Sequence, residues 1–156
     1  HLDPKDKVEK SIIKNTVIRN PAIYKFHGLL DRKNISYLLD EMHMQLHLSF
    51  QDACPNAVIE GMMSSLPTIT PAHTGTAELL DIYKKHLSVE EVNDGEFISL
   101  AYEKIPKINI DNYIKKITEC IENLPYWREA IYEIAIQKYE IEYVAKKYSE
   151  FIFSLL

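Results

Sequence analysis

The sequence predicts an α/β fold with a parallel sheet and a helical carboxyl-terminal tail. Two patterns lead to this prediction. Up to about residue 105, short apolar or β-branched segments alternate with amphipathic helical segments, which is typical of parallel strands joined by right-handed crossovers. From Ile110 onward, apolar residues recur at helical spacing without interruption by a strand. We expect a single domain, with a core over about residues 21–105 and the tail over about residues 106–156.

The first elements follow from capping and turn residues. Asp3 and Pro4 are placed to start a helix, which Asn20-Pro21 ends, and Gly28 closes a short strand at residues 23–26. Asn34 is the predicted cap of the next helix. The later core elements are predicted, in order, as strand 46–49, helix 57–64, strand 68–70, helix 77–84 and strand 97–100. Three tail helices are predicted over 110–124, 127–138 and 141–155.

Composition excludes several classes of function. Lys and Arg number 18 against 23 Asp and Glu, a net charge of -5, and this balance argues against general nucleic-acid binding. No apolar run approaches the roughly 20 residues of a membrane span, and no signal peptide opens the chain. The four glycines form no dinucleotide or P-loop motif. Two distant cysteines favour reduced thiols, so we expect a cytoplasmic protein.

Histidine spacing does not predict a metal site. His43 and His47 are four residues apart, but they lie on either side of a predicted helix-to-strand boundary, so they do not share a helix face. Both are interpreted as surface or strand-face residues. His73 stands at a strand end, where a contact with phosphate or sugar is a weak alternative.

The most informative stretch is residues 49–60. An apolar run ends at Leu48, a polar loop follows, and Pro55-Asn56 precedes a short helical segment. In a parallel sheet such a loop lies at the carboxyl end of its strand, and the amino terminus of the next helix presents free N–H groups to an anion. The sequence therefore predicts anion binding at this turn.

Several motifs around this turn occur in a recognisable order. Asp52 and Glu60 are separated by seven residues, and Cys54-Pro55-Asn56 lies between them. The other segments are Ile23-Tyr24-Lys25-Phe26-His27-Gly28, Leu66-Pro67-Thr68-Ile69 and Thr74-Gly75-Thr76-Ala77-Glu78-Leu79. Together they resemble the donor-sugar site of retaining glycosyltransferase family 4, also called glycosyltransferase group 1, which has the GT-B fold. The resemblance implies that the sheet is the Rossmann-like carboxyl-terminal domain of such an enzyme.

The resemblance also implies an activity. Members of this family transfer a hexose from a nucleoside diphosphate sugar to a glycan or lipid-linked acceptor, as in polysaccharide or lipopolysaccharide biosynthesis, usually without a metal or other cofactor. A UDP-sugar is the expected donor. The acceptor would bind through an amino-terminal domain that this chain does not match, and the full-length protein is either cytoplasmic or peripheral to the inner face of the membrane. We expect the chain to be a fragment that is inactive alone, because the Gly-Arg and Lys-Gly phosphate contacts of the family have no counterpart here.

The resemblance assigns roles residue by residue. Asp52 and Glu60 are the catalytic candidates: Asp52 contacts the hexose at a position where the family usually has Glu, and Glu60 accepts hydrogen bonds from the ribose. The donor-binding residues it implies are Ser49, Ala53, Cys54, Asn56, Glu60, Thr74, Gly75, Thr76 and Glu78. Thr74 departs from the family, which usually has a second glycine there. The simpler alternatives are a solvated Glu60, an Asp52 that only caps the loop, a packed Cys54, and a Glu78 that only favours the helix dipole.

Two other functions stand beside the enzyme. A non-catalytic nucleotide-sugar-binding or interaction module of the same fold is favoured by Asp52, by Thr74 and by the missing basic motifs. A receiver-like signalling domain would need an acidic cluster after the first strand and a later lysine, and the sequence has neither pattern.

Overall fold

The computed structural model describes residues 15, 18–49, 52, 54–72, 74–89 and 108–155. The fold is mixed α/β, with a three-stranded parallel sheet and a helical carboxyl-terminal region, which confirms these two parts of the prediction. The chain divides into two compact units, His1–Ile35 and Ser36–Leu156. The helix predicted before Asn20 and the strand predicted at residues 97–100 lie wholly or mostly outside the described residues.

The first unit contains turns rather than a strand in its described part. The amides of Ile23 and Tyr24 both donate to the carbonyl of Asn20 at 3.0 Å, which folds this segment into a turn. The strand predicted at residues 23–26 is therefore wrong: Ile23 and Phe26 are exposed, and no neighbouring strand is available in the described residues to pair with them. Gly28 has a φ of 67°, which confirms the predicted turn.

Helix α1, Arg32–Glu41, crosses the boundary between the units. Its cap is Asp31, whose Oδ1 accepts from the amide of Asn34 at 2.8 Å. The prediction that Asn34 caps this helix is therefore wrong by one turn. The physical reason is that Asp31 immediately precedes the helix, so its carboxylate can accept from the first-turn amides, whereas Asn34 already lies inside the helix.

The second unit holds the sheet, in the order β1, β2, β3, with all pairs parallel. Strand β1 is Gln45–Leu46, β2 is Thr68–Pro71 and β3 is Ser88–Val89. Every residue of the central strand β2 is buried. Helix α2, Asn56–Met63, joins β1 to β2 and confirms the predicted strand, loop, helix, strand order.

The connection from β2 to β3 is broken into short pieces. Helix α3 is Gly75–Leu79, a 3-10 turn follows at Asp81–Tyr83, and helix α4 is Lys84–Leu87. A continuous helix over 77–84 was predicted, but Asp81 has a φ of 52°, and a left-handed residue cannot continue an α-helix. Strand β3 was not predicted, because two residues carry too little periodic signal.

Three tail helices complete the unit: α5, Ile110–Glu122; α6, Leu124–Tyr139; and α7, Ile141–Ser154. The buried face of α6 packs against α2 and contributes Trp127, Ile131 and Ala135 to the core. From the other side the core receives Val58 and Met62 of α2, Ile69 of β2 and Val89 of β3. None of the residues of α7 is buried.

Candidate functional site

Two polar rungs cross strands β1 and β2 on one face of the sheet. Gln45 pairs in register with Thr68, and Leu46 with Ile69. The amide of His47 donates to the carbonyl of Ile69 at 3.0 Å, so the ladder continues past the end of β1. Since side chains alternate along a strand, His47 and Thr70 follow Gln45 and Thr68 on the same face. We call Gln45 and Thr68 the closed rung, and His47 and Thr70 the open rung.

Helix α2 covers the closed rung tightly. The Thr68 hydroxyl donates to Gln45 Oε1 at 3.2 Å, and Gln45 Nε2 donates to the carbonyl of Ala57 at 3.1 Å. A Cβ atom on Gly61 would lie 2.3 Å from Gln45 Oε1, so the Gln45 amide can occupy this position only because residue 61 has no side chain. This contact fixes the amino end of α2 above the strands.

The open rung has polar atoms that lack partners. Across the described residues, three buried side-chain nitrogen or oxygen atoms make no hydrogen bond: His47 Nε2, Thr70 Oγ1 and Thr76 Oγ1. Thr70 is near the carboxyl end of β2, His47 directly follows β1, and Thr76 is in the first turn of α3, which follows β2. Buried polar atoms without partners cost about 1–3 kcal/mol each and are rare, so their restriction to the strand ends and the following helix is informative.

The amino terminus of α2 is uncapped. Pro55 is the residue before the helix, with extended backbone angles of -73° and 114°, and no side chain of the described residues caps the first turn. The amide of Val58 donates to the carbonyl of Pro55 at 3.0 Å. The amides of Asn56 and Ala57 have no acceptor among the described residues. Two free N–H groups and the positive end of the helix dipole are therefore available to an anion.

Asp52 lies next to the open rung. Its Oδ2 is 3.3 Å from His47 Nε2, a distance for an ion pair, although the contact lacks hydrogen-bond geometry. The Asp52 side chain is 34% exposed and the His47 side chain 18%, so the carboxylate remains open to solvent while the ring is largely covered. Ser49 is half-buried, and Ala53 lies outside the described residues.

The other predicted residues of the first loop are exposed. Cys54 is a free, exposed thiol and Asn56 is exposed at the start of α2. Glu60 is exposed one turn inside the same helix and has no ion-pair partner in the part of the chain that the structure describes. Its carboxylate is therefore free to accept hydrogen bonds from a ligand.

The second predicted loop is mostly buried. The Thr74 hydroxyl donates to the carbonyl of Pro71 at 3.1 Å, which ties the loop to the end of β2. Gly75 is half-buried and Thr76 fully buried, whereas Glu78 is exposed in the first turn of α3. The structure thus brings Thr74, Thr76 and Glu78 to the end of β2, but only Glu78 presents a side chain to solvent.

Sequence reasoning missed two contributors to this region. Thr70 was interpreted as an ordinary strand residue, although its alternation with Thr68 in a buried strand was a usable signal. Tyr139 was not singled out, yet its hydroxyl donates to the carbonyl of Leu79 at 3.0 Å. Burial raises the pKa of Tyr139, and negative charge at Asp81 and at the Cys54 thiolate raises it further.

A separate concavity of about 470 Å³ lies between α4, β3 and α5. Its lining includes Lys85, Lys115 and Lys116, but Glu119 lies 4.0 Å from the Lys115 ammonium and 3.8 Å from that of Lys116. Because this carboxylate already compensates two of the three lysines, the concavity is a weaker anion site than its lysines suggest.

The described residues contain no group of three His, Cys, Asp or Glu side chains arranged to hold a metal ion. None of their helices is long and apolar enough to cross a membrane. Comparison of the chain with protein-family models, with curated proteins and with solved structures finds no match. The assignment of a function therefore depends on the residues at the carboxyl edge of β1 and β2.

Proposed function

We propose that this chain carries the donor-binding site of a retaining glycosyltransferase, which transfers a hexose from a nucleoside diphosphate sugar to a glycan or lipid-linked acceptor. In this proposal the sheet is part of a Rossmann-like GT-B domain. The observation that carries the proposal is the uncapped amino terminus of α2 at the end of β1, with the Asp52 carboxylate in the loop that leads into it. A UDP-sugar is the proposed donor.

The diphosphate would bind at the start of α2. The amides of Asn56 and Ala57 are the available donors, and the helix dipole favours negative charge there. The chain has no Lys or Arg between Lys33 and Lys84, so within this segment the positive groups offered to the diphosphate are backbone amides. Stabilising the leaving diphosphate is the main electrostatic task in a transfer of this type, since negative charge develops there in the transition state.

The carboxylates of the site would bind the neutral parts of the donor. Glu60 is exposed one turn into α2, where it can accept hydrogen bonds from the two ribose hydroxyls. Asp52 would accept from a hexose hydroxyl, and Glu78 borders the same edge from α3. Each charge-assisted hydrogen bond contributes about 1.5–3 kcal/mol, roughly a ten- to hundredfold change in affinity.

A non-catalytic nucleotide-sugar-binding module is the second candidate. The same absence of Lys and Arg from residues 34–83 favours it, because transfer requires stabilisation of a diphosphate leaving group and binding does not. Binding of the nucleotide sugar without transfer to any acceptor, also in a longer form of the protein, would support this candidate over the enzyme.

The test is an NMR titration of the chain with UDP, GDP, UDP-glucose and GDP-mannose. We expect amide shifts centred on residues 52–60 and 74–78, with one base preferred. Glu60→Ala should weaken binding about tenfold or more, because one charged acceptor is lost. Glu122→Ala, which removes an exposed glutamate at the end of α5, should bind like the wild type. Absence of shifts at millimolar nucleotide would refute donor binding by this chain.

A further inference from the structure

We propose that His47 is a positioning residue for Asp52 and thereby sets recognition of the sugar part of the donor. This inference rests on the proposed function and extends it to a residue outside the motif. It begins from the contact at the open rung, where His47 Nε2 lies 3.3 Å from Asp52 Oδ2.

The ring of His47 is held by the sheet. Its backbone amide donates to the carbonyl of Ile69 at 3.0 Å, and its side chain is only 18% exposed. A residue fixed by a strand ladder and largely covered has few rotamers available. Asp52 lies beyond the end of β1, in the loop that leads into α2, and its side chain is 34% exposed. The better-fixed member of the pair is therefore the histidine.

The Asp52 carboxylate is a hydrogen-bond acceptor within 3.3 Å of Nε2 of this ring. His47 Nε2 is buried and makes no hydrogen bond within the described chain, so the free energy of the site falls when the carboxylate turns toward it. The neighbour in the ladder, Thr70, also lacks a partner for its hydroxyl. Among the described residues, His47 is the basic side chain that the structure places within ion-pair distance of the Asp52 carboxylate.

When one oxygen of the Asp52 carboxylate turns to accept from His47 Nε2, the other oxygen is directed outward. Oδ2 of Asp52 is the atom near His47, which leaves Oδ1 for a hydroxyl group of the ligand. An aspartate is one methylene shorter than the glutamate that is usual in the glycosyltransferase family that this chain resembles. The orientation of its carboxylate therefore matters more for reaching the sugar. This pair would recognise a hydroxyl group on the hexose of a nucleoside diphosphate sugar.

The experiment compares UDP with UDP-glucose, by calorimetry or NMR titration, on the same variants. For His47→Ala we expect UDP affinity within about twofold of wild type, because the diphosphate binds the α2 amides, and UDP-glucose affinity lowered about tenfold. His47→Gln, whose side-chain amide can place an N–H near the former Nε2, should restore most of the UDP-glucose affinity. The matched control is His43→Ala, at an exposed histidine four residues upstream, which should change the affinity for neither ligand.

The outcomes separate the two proposals. If the wild type binds neither UDP nor UDP-glucose, the proposed function itself fails. If the wild type binds both and His47→Ala weakens them equally or not at all, the donor site stands and the positioning role is refuted. Amide spectra of every variant establish that it is folded, and His47→Gln provides the second measurement if His47→Ala does not fold. Failure of Gln to restore affinity in a folded protein would also contradict the proposal.

Discussion

The closed and open rungs occupy equivalent positions on the same two strands, yet only one of them is satisfied. Gln45 and Thr68 bond to each other, and Gln45 also bonds to the first turn of α2. Two residues farther along, His47 Nε2 and Thr70 Oγ1 are buried and make no hydrogen bond to any residue that the structure describes. The difference shows that the fold completes its polar network under the helix but not at the strand ends, where a ligand or water can do so.

The largest expected effect comes from breaking the closed rung. Gly61→Ala places a Cβ atom 2.3 Å from Gln45 Oε1, which displaces the amide and breaks both of its hydrogen bonds. We expect the free energy of unfolding to fall by about 1–2 kcal/mol, as measured by urea denaturation, because the loss of two hydrogen bonds exceeds the gain in helix propensity.

The control for this substitution is the same change in a Gln45→Ala background. There the clash is gone, and the higher helix propensity of alanine should stabilise the protein by up to about 1 kcal/mol. An equal loss of stability in both backgrounds would mean that the clash at Gln45 is not the cause, and that α2 is positioned by other contacts.

A matched pair of isosteric substitutions compares the two rungs directly. Thr68 and Thr70 are both fully buried on β2. Thr68→Val leaves Gln45 Oε1 without its donor and should lower the free energy of unfolding by about 1–2 kcal/mol. Thr70→Val removes a hydroxyl that has no partner and should be neutral or stabilise by up to about 1 kcal/mol.

Urea denaturation of the two variants measures whether their changes in the free energy of unfolding differ in sign. Equal destabilisation by both substitutions would contradict the comparison, because it would mean that the Thr70 hydroxyl has a bonding partner in solution. In that case the open rung is closed by water.

The last expected effect is a change of stability with pH, caused by a buried titratable group on α5. Cys120 is 1% exposed, and burial raises the pKa of its thiol to about 11. Because the unfolded thiol loses its proton at a lower pH than the folded one, stability should be complete below the unfolded pKa and should decrease as the pH rises from 9 toward 11.

Chemical denaturation at several alkaline pH values measures this slope, with Cys120→Ala as the reference. Burial also raises the pKa values of Tyr83 and Tyr139, but both tyrosines remain in the variant, so their contribution cancels in the difference. Identical slopes for the two proteins would contradict the burial of a neutral thiol at this position.

The elements predicted correctly are those whose signal is local and repeated. Helices α5, α6 and α7 follow from apolar spacing over 13 to 16 residues. The loop before α2 follows from a strand that stops at polar residues and Pro55. The helix between β2 and β3 was predicted as one element, and the left-handed backbone at Asp81 could not be read from a sequence in which aspartate also suits a helix start.

The errors have a common physical cause, which is dependence on a partner. A strand at residues 23–26 has suitable residues but no neighbouring strand among the described residues. Strand β3 has only two residues and exists because β2 pairs with it. The cap of α1 depends on whether Asp31 or Asn34 reaches the first-turn amides, and both are good capping residues.

The sequence by itself determined the fold class, the helical tail and the position of the loop between β1 and α2, because each depends on neighbours within a few turns of the chain. Only the tertiary structure decided which polar residues meet across strands. The register of β1 against β2 aligned Gln45 with Thr68, and it placed His47 beside Asp52 and left Thr70 unpartnered. Register is a long-range property, since it joins two strands that lie far apart in the sequence and depends on which face of each is buried.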